Sequence, residues 1–189
     1  MSGAHGLVIA FGGPHGAGKS TCAKAVAHTF KLKYVSAGDL FRKAARKKHM
    51  PLTKFNKLCS RTKLYDRMIN EETRRQAAIG GVVIDSQLGP WLIKDLADVK
   101  VLVTASADTR YARLASRGSA SPLQQKAETV SQEKLQRERF KKKYGIDIEK
   151  TDIYNIKIDS AGQTTSETIK MVTAAIKNHL SKMEASQFS

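Results

Sequence analysis

The segment Gly13-Pro14-His15-Gly16-Ala17-Gly18-Lys19-Ser20 has the pattern Gly-x-x-x-x-Gly-Lys-Ser. It is preceded by the apolar run Leu7–Phe11 and followed by a stretch in which Cys22, Val26 and Phe30 recur at helical spacing. A strand, a glycine-rich turn and an amphipathic helix in that order form a phosphate-binding loop. Each part has a physical role. The glycines let backbone N–H groups converge on an anion, and the helix N-terminus adds partial positive charge. Lys19 is placed to reach the β- and γ-phosphates of a nucleoside triphosphate, and the Ser20 hydroxyl is a ligand for Mg²⁺. The residues expected to bind the triphosphate are Gly13, His15, Gly16, Ala17, Gly18, Lys19, Ser20 and Thr21.

The rest of the chain fits an α/β fold. Leu7–Phe11, Lys33–Ser36, Val82–Asp85, Val99–Ala105 and Asn155–Ile158 read as strands. The first, third and fourth are nearly continuous apolar runs, as strands covered on both faces require. Helical patterns separate them, which predicts parallel strands joined by right-handed crossovers. Asp39 is a candidate cap for a helix from Leu40 that Pro51 ends, and a further helix spans about Thr62 to Ala78 and stops at Gly80-Gly81. Asp108 is a candidate cap for a helix carrying Arg110, Arg113 and Arg117, interrupted at Gly118-Ser119. Ser121-Pro122-Leu123-Gln124 then predicts a capping box opening a long helix to Tyr144. That helix has few apolar residues (Leu123, Ala127, Val130, Leu135, Phe140), so it reads as a closing lid. Thr164-Thr165-Ser166-Glu167 predicts a second capping box before a helix bearing Ile169, Val172, Ile176 and Leu180. Residues 1–189 are expected to form one unit, with a core of 7–39, 81–114 and 147–182 and insertions near 40–80 and 115–146.

Charge narrows the choice of ligand. The sequence of 189 residues carries 33 Lys+Arg against 17 Asp+Glu, a net charge of +16. Nine basic residues and no acid fall between Phe41 and Tyr65: Arg42, Lys43, Arg46, Lys47, Lys48, Lys54, Lys57, Arg61 and Lys63. A second cluster comprises Arg137, Arg139, Lys141, Lys142 and Lys143. Such blocks concentrate polyanions, whether nucleotides or RNA. Aromatic residues make up only 6 %, and no Gly-aromatic RNA-binding pattern is present. No apolar run approaches the ~20 residues of a spanning helix, so no membrane partner is expected. The short polar start and two cysteines, Cys22 and Cys59, lead to the expectation of a cytoplasmic, reduced protein and of a monomer. The Asn-Lys-x-Asp signature of guanine readers is absent. A kinase acting on an alcohol needs a carboxylate base, for which Asp39, the one obvious strand-end acid besides Asp85, is the candidate. Transfer to a phosphate needs positive charge around two facing polyanions instead, and the two basic insertions supply it.

Three stretches make a resemblance specific: Val35-Ser36-Ala37-Gly38-Asp39-Leu40-Phe41-Arg42, Pro51 to Leu58, and Tyr144-Gly145-Ile146-Asp147. They resemble the archaeal-type cytidylate kinases, and the likeness runs from Ile9 to about Leu180. It implies the P-loop kinase three-layer fold, with a five-stranded parallel sheet in the order 2-3-1-4-5, a monophosphate-binding segment near 40–80 and a lid near 115–146. The implied reaction is ATP-dependent phosphorylation of a pyrimidine nucleoside monophosphate, CMP or dCMP, with Mg²⁺. On the same resemblance the monophosphate side comprises Asp39, Arg42, Asp66, Arg67, Asp85 and Gln87. Asp85 and Ser20 order the metal, and Arg113 lies on the ATP side.

The chain also departs from the family pattern. Asp85-Ser86-Gln87-Leu88-Gly89-Pro90-Trp91 stands where the family reads Glu-Gly-Arg-Leu-x-Gly-Trp, so Gln87 replaces an arginine. Gln132-Glu133-Lys134-Leu135-Gln136 lacks a lid arginine, for which Arg137 or Arg139 is the candidate substitute one helical turn away. Asn70-Glu71-Glu72 replaces Asp-Arg-Arg. Lys19, Arg113 and Arg139 are therefore the expected catalytic cations. A divergent, weakly active or inactive homologue that binds ATP and associates with RNA in a ribonucleoprotein stays open beside an active kinase; adenylate kinase activity, a third option, lacks the Asp-Gly-x-Pro-Arg run expected for it.

Overall fold

The computed structural model describes residues 6–62, 64–116 and 121–186. Five strands, β1 (Val8–Gly12), β2 (Lys33–Ser36), β3 (Val82–Asp85), β4 (Val99–Thr104) and β5 (Ile156–Asp159), form one sheet in the order β2-β3-β1-β4-β5. All four pairings are parallel, with Ile9 opposite Val83 on one side and Val99 on the other. The strand order and the positions of all five strands follow the sequence expectation to within a residue at each end.

Alternation along β1 divides the core. Ile9 and Phe11 pack with Val101, Val103 and the helices α1 (Lys19–Thr29) and α8 (Thr165–Ser186). Val8 and Ala10 face the opposite layer with Ile84, Ala77 of α4 (Leu64–Ile79) and Ile93, next to α5 (Gly89–Leu92). Burying a side chain of this size contributes about 1.5–3 kcal/mol. The sheet therefore fixes its own loop ends rigidly, and the glycine-rich loop leaves from one of them. Among the described residues no helix is long and apolar enough to cross a membrane.

The first insertion has a small core of its own. Helices α2 (Ala37–Lys47) and α3 (Leu52–Arg61) bury Ala45, Phe55 and Cys59 against Phe41 and Tyr65. Phe55 makes edge-on contacts with both Phe41 and Tyr65 at 4.9 Å between ring centroids. Ser36, not Asp39, caps α2: its Oγ accepts the Asp39 N–H, which places Asp39 inside the first turn. The helix therefore starts three residues earlier than expected. Pro51 precedes α3 rather than merely ending α2.

The second insertion comprises α6 (Ala107–Ala115) and α7 (Pro122–Tyr144). Ser106 caps α6 through the Thr109 N–H, so Asp108 supplies first-turn charge and not the cap. Arg117, Gly118, Ser119 and Lys63 lie outside the described residues. Ser121 caps α7 as expected, but Gln124 turns its amide to Glu128 and leaves the box half closed. Gly145 ends α7 at φ 67, a left-handed conformation that costs glycine little. The box at Thr164 is complete, with Glu167 accepting the Thr164 N–H and Thr164 Oγ1 accepting the Glu167 N–H.

Candidate active site

The loop from Gly13 to Ser20 owes its path to two close approaches. A β-carbon on Gly13, at φ +132, would lie 2.1 Å from the Val103 carbonyl oxygen. One on Gly16, at φ +79, would lie 2.6 Å from the carbonyl oxygen of Arg110. Both positions therefore demand glycine, and α6 is held directly against the loop. Gly18 then leads into α1, whose N-terminus has no side-chain cap and no acid in its first turn. Its free N–H groups and dipole point toward the Lys19 side of the loop.

Asp85, at the end of β3, is the central carboxylate. Its Oδ1 accepts from Lys19 Nζ at 2.5 Å and its Oδ2 from the Tyr34 hydroxyl at 2.7 Å. Burial opposes its ionisation, but the Lys19 charge and the hydrogen bonds from Lys19, Ser20 and Tyr34 prevail and hold its pKa below the usual range. Burial and the same carboxylate push the Tyr34 hydroxyl well above its ordinary value. Ser20 and Asp85 thus present two hard oxygen donors side by side. Among the described residues no cluster of three or more His, Cys, Asp or Glu is arranged to hold a metal. That donor set fits Mg²⁺, which keeps several waters and takes its remaining ligands from phosphates.

A cleft of about 190 Å³ opens over this pair, between the loop, α2, α4 and the lid helix α7. His15, Lys19, Ser20, Arg42, Asp66, Asp85, Gln87 and Arg139 all line it. Arg139, from α7, is among these lining residues: Nη1 donates to Asn56 Oδ1 at 2.6 Å, and its guanidinium lies over the Phe41 and Phe140 rings. Asp66 is buried and shared by two cations, Lys143 at 3.0 Å and Arg139 at 3.7 Å. Lys143 Nζ also donates to the Cys59 and Thr62 carbonyls, so this one ammonium ties α7 to α3 and α4. Asn70 donates to the Tyr144 hydroxyl at 2.9 Å, a second link between α4 and α7. His15 lines the cleft from an exposed position, and the desolvation it does meet there keeps its imidazole pKa below the ordinary value.

Other expected residues lie elsewhere. Arg67 is exposed and paired with Glu71 at 2.7 Å, one helical turn along the solvent face of α4. It does not line the cleft; Asp66, its neighbour, turns inward because successive helix positions diverge by about 100°. Asp39 stands on the rim, where Oδ1 accepts from Arg42 Nη2 at 2.6 Å, and is not a cleft-lining base. Arg113 donates to Ser160 Oγ and to the Ser160 carbonyl at 2.8 and 2.7 Å. It faces a small recess of about 40 Å³ shared with Ala17, Gly18 and Thr21, on the far side of the loop from the cleft. Gln87 separates the cleft from a neighbouring cavity of about 360 Å³ beside Gly13, Arg110 and Tyr154. Among the described residues its buried Oε1 has no hydrogen-bond partner. Reversing the amide would turn the NH₂ group there instead, a neutral donor at the place of the expected guanidinium.

With that geometry in place, the likeness to known proteins becomes decisive. Residues 8–162 match the cytidylate kinase-like family. The chain belongs to this family. The cytidylate kinase of Aeropyrum pernix is 39 % identical over 160 residues, which covers 85 % of this chain and 93 % of that protein. The cytidylate kinase of Desulfurococcus amylolyticus is 36 % identical over 181 residues, covering 94 % and 97 %. Among solved structures, a gluconokinase from Sinorhizobium meliloti superposes with a TM-score of 0.62 at 14 % identity, covering 96 % of this chain and 97 % of the other. A shikimate kinase from Bacteroides thetaiotaomicron gives a TM-score of 0.61 at 14 % identity, covering 90 % and 98 %. At that identity the two structures speak for the fold alone. As a member of the cytidylate kinase-like family the protein is a phosphotransferase.

Two site features escaped the sequence reading. Arg110 and Glu133 are both nearly buried and form an ion pair at 2.7 Å beside the loop. Arg110 had been visible only as one of three arginines on a helix, and Glu133 only as part of a departure from the family pattern. The usable signal was the spacing of Glu133, Gln136 and Phe140, which places all three on one side of α7.

Proposed function

We propose that this protein transfers the γ-phosphoryl group of ATP to CMP or dCMP. The observation that carries the reading is the cleft itself, which joins the loop's Lys19 and Ser20 to Arg42 and Arg139 from the two insertions. Cations from three directions around one space suit two facing polyanions. Of the two cleft-lining carboxylates, Asp66 is ion-paired with Lys143, and Asp85, once Lys19 turns to the phosphates, is the one that would hold Mg²⁺, so neither is left to take a proton from an alcohol. A phosphate acceptor needs no such base.

In this reading Lys19 leaves Asp85 for the β- and γ-phosphates, and the loop N–H groups hold the donor chain. Arg42 binds the acceptor phosphate as a planar fork, while Arg139 neutralises charge that spreads over the transferring group. Ser20 and Asp85 would hold Mg²⁺, which would neutralise part of the phosphate charge. The recess lined by Thr21 and Arg113 would take the donor nucleoside in this reading. Gln87 gives the acceptor phosphate a neutral hydrogen bond in place of a charged one, so acceptor KM is high.

Steady-state turnover with ATP and CMP, dCMP, UMP, AMP or no acceptor tests the proposal. CMP and dCMP should be phosphorylated most efficiently; equal rates with all acceptors, or with none, would overturn it. The second reading, an RNA-associated homologue, draws on α2 and α3, where Lys43, Arg46, Lys47, Lys48, Lys54, Lys57 and Arg61 are all exposed. It requires no CMP turnover and RNA binding that falls steeply with salt.

A further inference from the structure

The ion pair between α6 and the lid has a third member. Arg110 Nη1 donates both to Glu133 Oε1 at 2.7 Å and to the His15 carbonyl at 2.8 Å. The same Glu133 Oε1 accepts the backbone N–H of His15 at 3.2 Å. One turn along α7, Gln136 Oε1 and the His15 ring Nε2 lie 3.2 Å apart. A carboxylate oxygen thus receives a loop N–H and a guanidinium at once. Those are the two kinds of donor that a phosphate-binding loop and its neighbouring arginine present to a phosphate oxygen. The Glu133 side chain is only 16 % exposed and that of Arg110 10 %. The pair is therefore partly desolvated, and its attraction is stronger than that of a surface ion pair.

We propose that Glu133 is a built-in phosphate surrogate: its carboxylate occupies the anion position between the His15 N–H and Arg110, latches α7 to the loop, and is displaced by the polyphosphate of the donor nucleotide. The inference rests on the donor-site reading given above and adds its regulation. Three consequences follow from the geometry. The loop and Arg110 are held in anion-binding positions before any nucleotide arrives, which spares them reorganisation. Nucleotide must compete with an intramolecular carboxylate, so its apparent affinity is lowered by the fraction of molecules latched. Release of Glu133 frees the middle of α7, so donor binding is coupled to movement of the helix that carries Arg139 into the acceptor cleft.

Glu133→Gln tests this, since it keeps the shape and one acceptor atom while removing the charge. Calorimetry with inorganic tripolyphosphate and with Mg·ATP should show binding about tenfold tighter than in the parent, a gain equivalent to about 1.4 kcal/mol. Glu133→Ala, with no acceptor at all, should gain at least as much, and thermal melts of both variants confirm that the protein is folded. Glu133→Asp keeps the charge on a shorter arm and should stay close to the parent. Hydrogen exchange across residues 122–136, measured without nucleotide, should be faster in Glu133→Gln. Unchanged or weaker polyphosphate binding in folded Glu133→Gln and Glu133→Ala would overturn the surrogate role. A folded parent that binds neither probe would instead overturn the donor-site reading on which it rests.

Discussion

Replacing Asp66 with Asn is the sharpest test of how the lid is fastened. The carboxylate is 7 % exposed and faces two cations, Lys143 at 3.0 Å and Arg139 at 3.7 Å, that are themselves 10 % and 6 % exposed. Asparagine keeps the shape but leaves two buried cations without a counter-charge. Breaking a buried pair from one side costs about 3–5 kcal/mol. Lys143 retains its bonds to the Cys59 and Thr62 carbonyls, and Arg139 retains Asn56, so the lower end applies, about 3 kcal/mol. For a chain of this size that corresponds to a fall in Tm of roughly 6–12 °C. Urea unfolding and calorimetry of parent and variant measure it directly. A double-mutant cycle with Lys143→Met should recover part of the loss, because one orphaned charge goes with the second substitution. A cost below about 0.5 kcal/mol, the level of a surface ion pair, would refute the view that this network anchors the lid.

Four further outcomes follow. Gln87→Arg should raise kcat/KM for CMP about tenfold, roughly 1.4 kcal/mol, through acceptor KM; a neutral or harmful effect in steady-state kinetics would place the acceptor phosphate elsewhere. Arg67→Ala should leave CMP kinetics unchanged, because Arg67 is exposed and pairs with Glu71; a tenfold loss would return it to the site. Asp85 has a lowered pKa in the folded protein, so its stabilisation is present above the ordinary carboxylate range and is lost as pH falls through the folded value. Asp85→Asn should accordingly flatten the acid limb of stability against pH, and an unaltered limb in pH-dependent melts would contradict the pairing with Lys19. Burial pushes the Cys22 and Cys59 thiols up to about 11, so both should resist a thiol reagent at neutral pH until the protein unfolds; rapid labelling of the native protein would show that these cores open.

Features governed by local pattern were legible in the sequence, and features governed by the meeting of distant segments were not. The apolar runs at Val8, Val82 and Val99 announced buried parallel strands because strands covered on both faces tolerate little polar sequence. The phosphate loop was legible because its glycines answer to steric demands within the loop and against its immediate neighbours. Asp39 misled because both it and Ser36 are good caps, and the choice between them depends on where β2 ends. The pairing of Asp66 with Lys143 spans 77 positions, and that of Arg110 with Glu133 joins two helices across the segment 117–120. No periodicity encodes either contact. Arg139 was reached only as a stand-in further along α7 for the family's missing lid arginine, and it does line the cleft.

The account stands on γ-phosphoryl transfer from the loop to a pyrimidine monophosphate, and ³¹P NMR of one reaction mixture tests it most directly. With parent protein, Mg·ATP and CMP, the resonances of ADP and CDP should grow in equal amounts, and Lys19→Ala should stop both while the protein remains folded. ADP accumulating without CDP, or equal product formation by parent and Lys19→Ala, would contradict the account.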